Sequence, residues 1–108
     1  MQDQRKAPRQ RIKFKLQVKS HFQSDDDCYG INISEYGISF ISHSEFKPQT
    51  KLSADFLLPI GYNDEKFQCQ GIVMWTKKID VGFEHGMEFY LLDDSLKELI
   101  QKFLELNK

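Results

Sequence analysis

Four apolar side chains, Ile12, Phe14, Leu16 and Val18, alternate with Lys13, Lys15, Gln17 and Lys19. A two-residue period puts one set on each side of an extended strand, so this segment predicts a half-buried β-strand over 12–18. The same period returns in Leu52, Ala54, Phe56 and Leu58. Cys28–Ile33 reads as a short strand, and Gly37–Ser42 as another with Ile38, Phe40 and Ser42 on one face. Phe67–Thr76 is the longest β-like run, and Gly71 within it predicts a bulge or sharp bend. Phe83–Leu91 is the sixth strand, with Gly86 a second bend.

Polar segments separate these runs. Ser24–Asp27, Ser34–Tyr36 and Asp80–Gly82 read as turns, and Pro59–Glu65 holds Pro59, Gly61, Asn63 and Asp64, a strong turn signal. Six short strands with interior glycines describe a mainly β protein, a small six-stranded antiparallel barrel rather than a βαβ fold. The period then changes. Leu96, Leu99, Ile100, Phe103 and Leu104 recur at helical spacing opposite Lys97, Glu98, Gln101, Lys102 and Glu105. This predicts a C-terminal α-helix over about 93–106, its apolar stripe lying on the barrel. Asp93, Asp94 or Ser95 can cap its start, and Ser95 with Glu98 matches a capping box.

At 108 residues the chain is one domain. Residues 1–11 lack hydrophobic periodicity and contain Pro8, so they are expected to form an extended, mobile basic arm ahead of the barrel and helix of 12–108. Residues 1–20 carry seven basic side chains against Asp3 alone, a net +6, leaving −7 on residues 21–108 within the overall −1. Duplex DNA binding needs a broad basic face, so nucleic acid is disfavoured as a partner. A local basic arm on an acidic body suits a compact anion better. A small barrel with a basic strand also allows a single-stranded nucleic-acid binder, with Phe14, Phe40 and Trp75 as stacking candidates. Their alternating positions assign them to the core instead.

Catalytic and metal chemistry find little support. His21, His43 and His85 fall in separate segments without metal-ligand spacing, no serine stands in a nucleophile turn, and Cys28 and Cys69 have no motif around them. The adjacent carboxylates Asp25, Asp26 and Asp27 lack the spacing and glycine turn of a cation loop and read as solvated loop. The expectation is a non-enzyme with neither cofactor nor metal. No apolar run approaches a membrane span and no apolar stretch follows the basic N-terminus, so the expected location is cytoplasmic.

Two short patterns carry binding chemistry. Arg5 and Arg9, in R-K-A-P-R, present planar forks that match phosphate oxygens and the Hoogsteen edge of guanine. Asn32-Ile33-Ser34-Glu35-Tyr36-Gly37 ends a strand in an amide and a hydroxyl, and Gly37 permits either a positive φ or a close backbone approach. Arginines spaced R-x-x-x-R, followed about two dozen residues later by N-x-S-x-x-G, resemble the signature of PilZ domains, bacterial receptors of cyclic di-GMP. The likeness extends to Gln70–Trp75, similar to that family's G-x-V-x-W strand, and to His85–Phe89, similar to its Y-G-x-x-F strand.

The resemblance, covering Arg5 to Leu104, implies a six-stranded PilZ-type barrel with a C-terminal helix and a ligand groove on the barrel's outer surface. It implies that Arg5 and Arg9 grip phosphate and guanine edges, that Asn32 and Ser34 bond a guanine edge or phosphate, and that Gly37 leaves room for the ligand. The implied function is a cyclic di-GMP receptor and adaptor that changes surface on binding and regulates an unidentified effector protein, with motility, biofilm or exopolysaccharide outputs. The alternative is a PilZ-like interaction module without nucleotide binding. Gln4 stands where many members have another arginine, Asn32 where aspartate is commoner, and His85 where an aromatic is frequent.

Overall fold

A computed structural model describes residues 10–90 and 92–106 of the chain. Six strands, β1 (Gln10–Lys19), β2 (Ser24–Ile33), β3 (Gly37–Ser42), β4 (Lys51–Ile60), β5 (Asn63–Ile79) and β6 (Gly82–Tyr90), precede one helix, α1 (Asp94–Leu106). Every strand pairing is antiparallel, and the order β1-β2-β3-β6-β5-β4 closes into a barrel. The seam between β1 and β4 is short, running from Leu16 opposite Phe56 to Lys19 opposite Ser53. Closure removes the sheet edges along that stretch, which is how a small all-β domain avoids edge-to-edge association.

The alternating residues do what their period demands. Phe14, Leu16 and Val18 of β1 and Leu52, Ala54, Phe56 and Leu58 of β4 all point into one core with Ile38, Phe40, Phe67, Val73 and Met87. Phe67 stacks parallel on Phe56 at 5.1 Å, and Phe14 packs tilted against the same ring at 5.2 Å. Helix α1 plugs the core with Ile100 and Phe103, while Leu96, Leu99 and Leu104 pack partly buried around them. Its N-cap is Asp93, whose Oδ1 accepts from the Ser95 N–H and hydroxyl, both at 2.8 Å. Ser95 therefore serves inside the first turn rather than opening a capping box.

Several loop readings need correcting. Asn63–Glu65 belong to β5 and Pro59 to β4, so the long turn shrinks to Gly61–Tyr62. Gly61 takes a φ of 65°, the positive value that a tight hairpin needs at its first central residue. The bulge in β5 lies not at Gly71 but between Val73 and Trp75, where the register with β6 slips.

Ser24–Asp27 is also no turn: it opens β2, and Asp25 is buried. Its carboxylate accepts backbone N–H groups from His43 at 2.9 Å, Ser44 at 3.4 Å and Asp27 at 3.0 Å, tying the loop after β3 to β2. Burial by itself raises the carboxyl's pKa, but the three backbone donors, with a smaller contribution from the Cys28 side chain, outweigh it and hold the group below its ordinary value. Asp25→Ala leaves those donors without their acceptor and is expected to cost roughly 1–3 kcal/mol, read as a lowered urea midpoint. A midpoint within error of wild type would show that water replaces the carboxylate freely.

His85 is the one histidine of the core among the described residues. It lies fully buried, stacked on Phe40 at 4.8 Å and edge-on to Phe46 at 5.5 Å. Its Nε2 accepts the Phe46 N–H at 3.0 Å, which requires the neutral ring. Both cysteines are free thiols that burial pushes up to about 12, a setting that favours the unreactive protonated form.

Candidate functional site

The Asn32–Gly37 segment turns the chain from β2 into β3. The Ser34 N–H donates to the Gly37 carbonyl at 2.9 Å, and the Tyr36 N–H donates to Ser34 Oγ at 3.2 Å. Ser34 is buried, so its hydroxyl organises the turn from within. The Tyr36 carbonyl accepts the Phe89 N–H at 2.8 Å, pinning the turn to β6. Gly37 resolves the choice left open by its sequence. Its φ is not positive, and a Cβ there would stand 2.1 Å from the Met87 carbonyl oxygen. Backbone approach of β3 to β6 requires the glycine.

Beyond the turn, the strand registers build a row across the outer face. Asn32 on β2 is paired with Ser39 on β3, Ser39 with Gly86 on β6, and Gly86 with Trp75 on β5. Arg11 on β1, opposite Asn32, continues the row by backbone register. With neighbouring strands about 4.8 Å apart, Asn32 to Trp75 spans roughly 14 Å. Ile33, Ile38 and Met87 point inward beside this row, so Asn32, Ser39 and Gly86 face the outer side, Asn32 half-buried and Ser39 and Gly86 covered.

Trp75 sits there because of the bulge. Val73 is buried, yet Met74 and Trp75 are both exposed, so two successive side chains share the outer face. The core placement expected for Trp75 is thus overturned, whereas Phe14 and Phe40 are core as expected. The indole, 42% exposed, lies flat on Gly86, where a Cβ would come within 2.1 Å of its Nε1. Between Trp75, Met74, Tyr36 and Ser39 runs a shallow cavity of about 180 Å³, with Glu88 at its rim. A flat aromatic face beside a small-residue floor and polar groups is suited to stacking a planar heterocycle.

Of the residues proposed from the sequence, the structure brings Asn32, Ser34 and Gly37 together on one turn. Arg5 and Arg9 lie outside the described residues. Ser39, Gly86 and Trp75 were missed as site residues. Trp75 and Gly86 each stood in a recognisable strand motif, but only the cross-strand register puts them side by side. Among the described residues no group of histidine, cysteine and carboxylate side chains could hold a metal ion. No helix among them is long and apolar enough to cross a membrane.

A family model described as PilZ domain matches residues 3–106. No curated protein matches the sequence significantly. Among solved structures, the Bacillus subtilis inhibitor of motility MotI/DgrA is similar with a TM-score of 0.81 at 17% identity, covering 98% of this chain and 53% of that one. YcgR from Escherichia coli in complex with c-di-GMP is similar with a TM-score of 0.74 at 10% identity, covering 95% and 45%. The PilZ domain of YcgR with c-di-GMP gives a TM-score of 0.73 at 9% identity, covering 97% and 92%. The chain therefore spans about half of the MotI and whole YcgR chains and nearly all of the isolated YcgR domain. At these identities the likeness is one of fold.

Proposed function

We propose that this chain, which belongs to the PilZ domain family, is a receptor for cyclic di-GMP that binds it on the outer row from Asn32 to Trp75. The observation that carries the reading is this row, Asn32, Ser39, Gly86 and Trp75 in lateral register beside the Ser34–Gly37 turn. It offers an amide, a hydroxyl, a bare backbone floor and an aromatic face, over a span suited to a dinucleotide.

The chemistry divides between body and arm. Residues 21–108 carry −7, so an anion needs cations brought to this face, and Arg5 and Arg9 supply them. Their guanidinium forks pair with phosphate and guanine edges, Asn32 reads a base edge, and Trp75 stacks on a base. Binding brings Arg5 and Arg9 to the row, where Arg11 of β1 is already paired with Asn32. An effector protein then reads the combined surface of arm, ligand and barrel, which makes the domain an adaptor rather than an enzyme.

Calorimetric titration of cyclic di-GMP into the full chain tests this. Wild type is expected to saturate. Arg9→Ala, losing a charge-assisted bond worth about 1.5–3 kcal/mol, is expected to weaken binding roughly 10- to 100-fold. Trp75→Ala removes a stacking face worth about 1–3 kcal/mol, so a loss of at least fivefold is expected, with the fold intact by circular dichroism. Folded wild-type protein that gives no saturable heat would sink the receptor reading and leave a protein-interaction module. Undiminished binding in Trp75→Ala would move the ligand off this row.

A further inference from the structure

A second hollow lies on the outer face at a different height of the barrel. Lys19 on β1 is paired with Ser53 on β4, Ser53 with Gln70 on β5, and Gln70 with Tyr90 on β6. These four side chains floor a cavity of about 480 Å³, and Lys51 and His21 stand at its walls. Tyr90 is four residues beyond Gly86 on β6, about 13 Å along an extended strand, so this hollow is separate from the Trp75 row.

Its charge is the reverse of its surroundings. The body carries −7, yet the lining holds two lysines and no carboxylate. By register the flanking outward positions are Asp55 and Glu88, one rung away on either side. Among the described residues neither lysine has an ion-pair partner. The Lys51 ammonium instead lies over the Tyr90 ring at 5.9 Å. Two unneutralised ammonium groups in one concavity focus a positive field, and the hydroxyls of Ser53 and Tyr90 with the Gln70 amide supply neutral donors. That combination fits a compact multivalent oxyanion.

We propose that this hollow is a binding site for a phosphate group, held by Lys19 and Lys51 and oriented by Ser53, Gln70 and Tyr90. The phosphate belongs either to a soluble compound or to a phospholipid headgroup. Phe22, 90% exposed, stands one residue from His21 on the rim and packs edge-on against it at 4.7 Å. It is the group that would enter a bilayer if the source is lipid. The site does not depend on the cyclic di-GMP reading.

The test uses the full chain with two probes. Inorganic pyrophosphate is titrated at constant ionic strength and followed by amide NMR shifts. Sedimentation with phosphatidylglycerol vesicles is compared with phosphatidylcholine. A soluble ligand predicts saturating shifts around Ser53, Gln70 and Tyr90, weakened at least tenfold in Lys19→Gln/Lys51→Gln and unchanged in Lys66→Gln. A lipid source predicts sedimentation with the anionic vesicles only, lost in the double lysine variant and in Phe22→Ser. Cyclic di-GMP affinity, where present, stays unchanged in all of these variants. No response to either probe overturns the proposal, as does binding that survives the lysine substitutions or that Lys66→Gln weakens equally.

Discussion

Replacing Phe103 by alanine is expected to remove about 3–5 kcal/mol of stability, the range for emptying a buried aromatic site. Phe103 and Ile100 are the fully buried residues of α1, and both enter the barrel's own core. A helix of 13 residues is marginal without tertiary packing, so truncating one of its two anchors loosens the whole segment. Domains of this kind hold only about 5–15 kcal/mol in reserve, and such a loss approaches the lower end of it. The helix also reaches the candidate site, since Gln101 Nε2 donates to Glu35 Oε2 at 2.7 Å on the β2–β3 turn. Urea unfolding gives the magnitude, and amide hydrogen exchange over Leu96–Leu104 shows where it falls. A loss below about 1 kcal/mol would mean that the barrel closes its core without α1, against the packing described.

The second large effect is set by pH. Burial pushes the His85 imidazole from 6.5 down to about 4, with the Phe40 backbone and the Asp25 charge opposing it only in part. The unfolded chain takes up the proton near 6.5 while the folded chain resists until about 4. Stability therefore has its full value above pH 6.5 and falls as the pH drops through this window, by about 3 kcal/mol at its lower end. Protonation at Nε2 also destroys the acceptor for the Phe46 N–H. Asp25 acts in a lower window. Its contribution is complete above the ordinary aspartate range and is lost as the pH falls through its depressed folded value. Urea midpoints at pH 7, 5.5 and 4.2, for wild type and His85→Phe, separate the two. The variant keeps an aromatic ring against Phe40 but loses the Phe46 bond, so it starts roughly 1–3 kcal/mol lower at pH 7. It is then expected to stay nearly flat down to pH 4.2. Parallel curves for the two proteins would assign the acid loss to other groups.

The fold was legible because alternation carries its own geometry. Residues such as Leu16, Val18, Leu52 and Phe56 announce which side they face, and uninterrupted pairing keeps that face constant. Where the pairing slips, the inference slips with it. One extra residue between Val73 and Trp75 turns the tryptophan outward, and nothing in the local composition marks the place. Asp25 was misread for another reason. With Asp26 and Asp27 it looked like solvated loop, but two of its hydrogen-bond donors, His43 and Ser44, come from a loop 18 and 19 residues away. For His85 composition alone does not decide, since histidine is intermediate between core and surface; the aromatic that often stands at its position was the only pointer inward. The candidate site divides in the same way. Its turn was visible as a contiguous motif, whereas its row is made of single residues from four strands, joined only by register.

Trp75 is the chain's one tryptophan. Its indole rests on Gly86 at the surface, not among the phenylalanines of the core. Intrinsic emission excited at the red edge of the protein spectrum therefore comes from this single spot. Unfolding carries the ring from partial to full exposure, so the emission maximum shifts far less than for a core indole, and fluorescence melts will understate the collapse of the barrel. A planar molecule laid on the open face of that ring would instead quench or blue-shift the whole signal. The protein carries its own optical reporter, and it watches the surface rather than the fold.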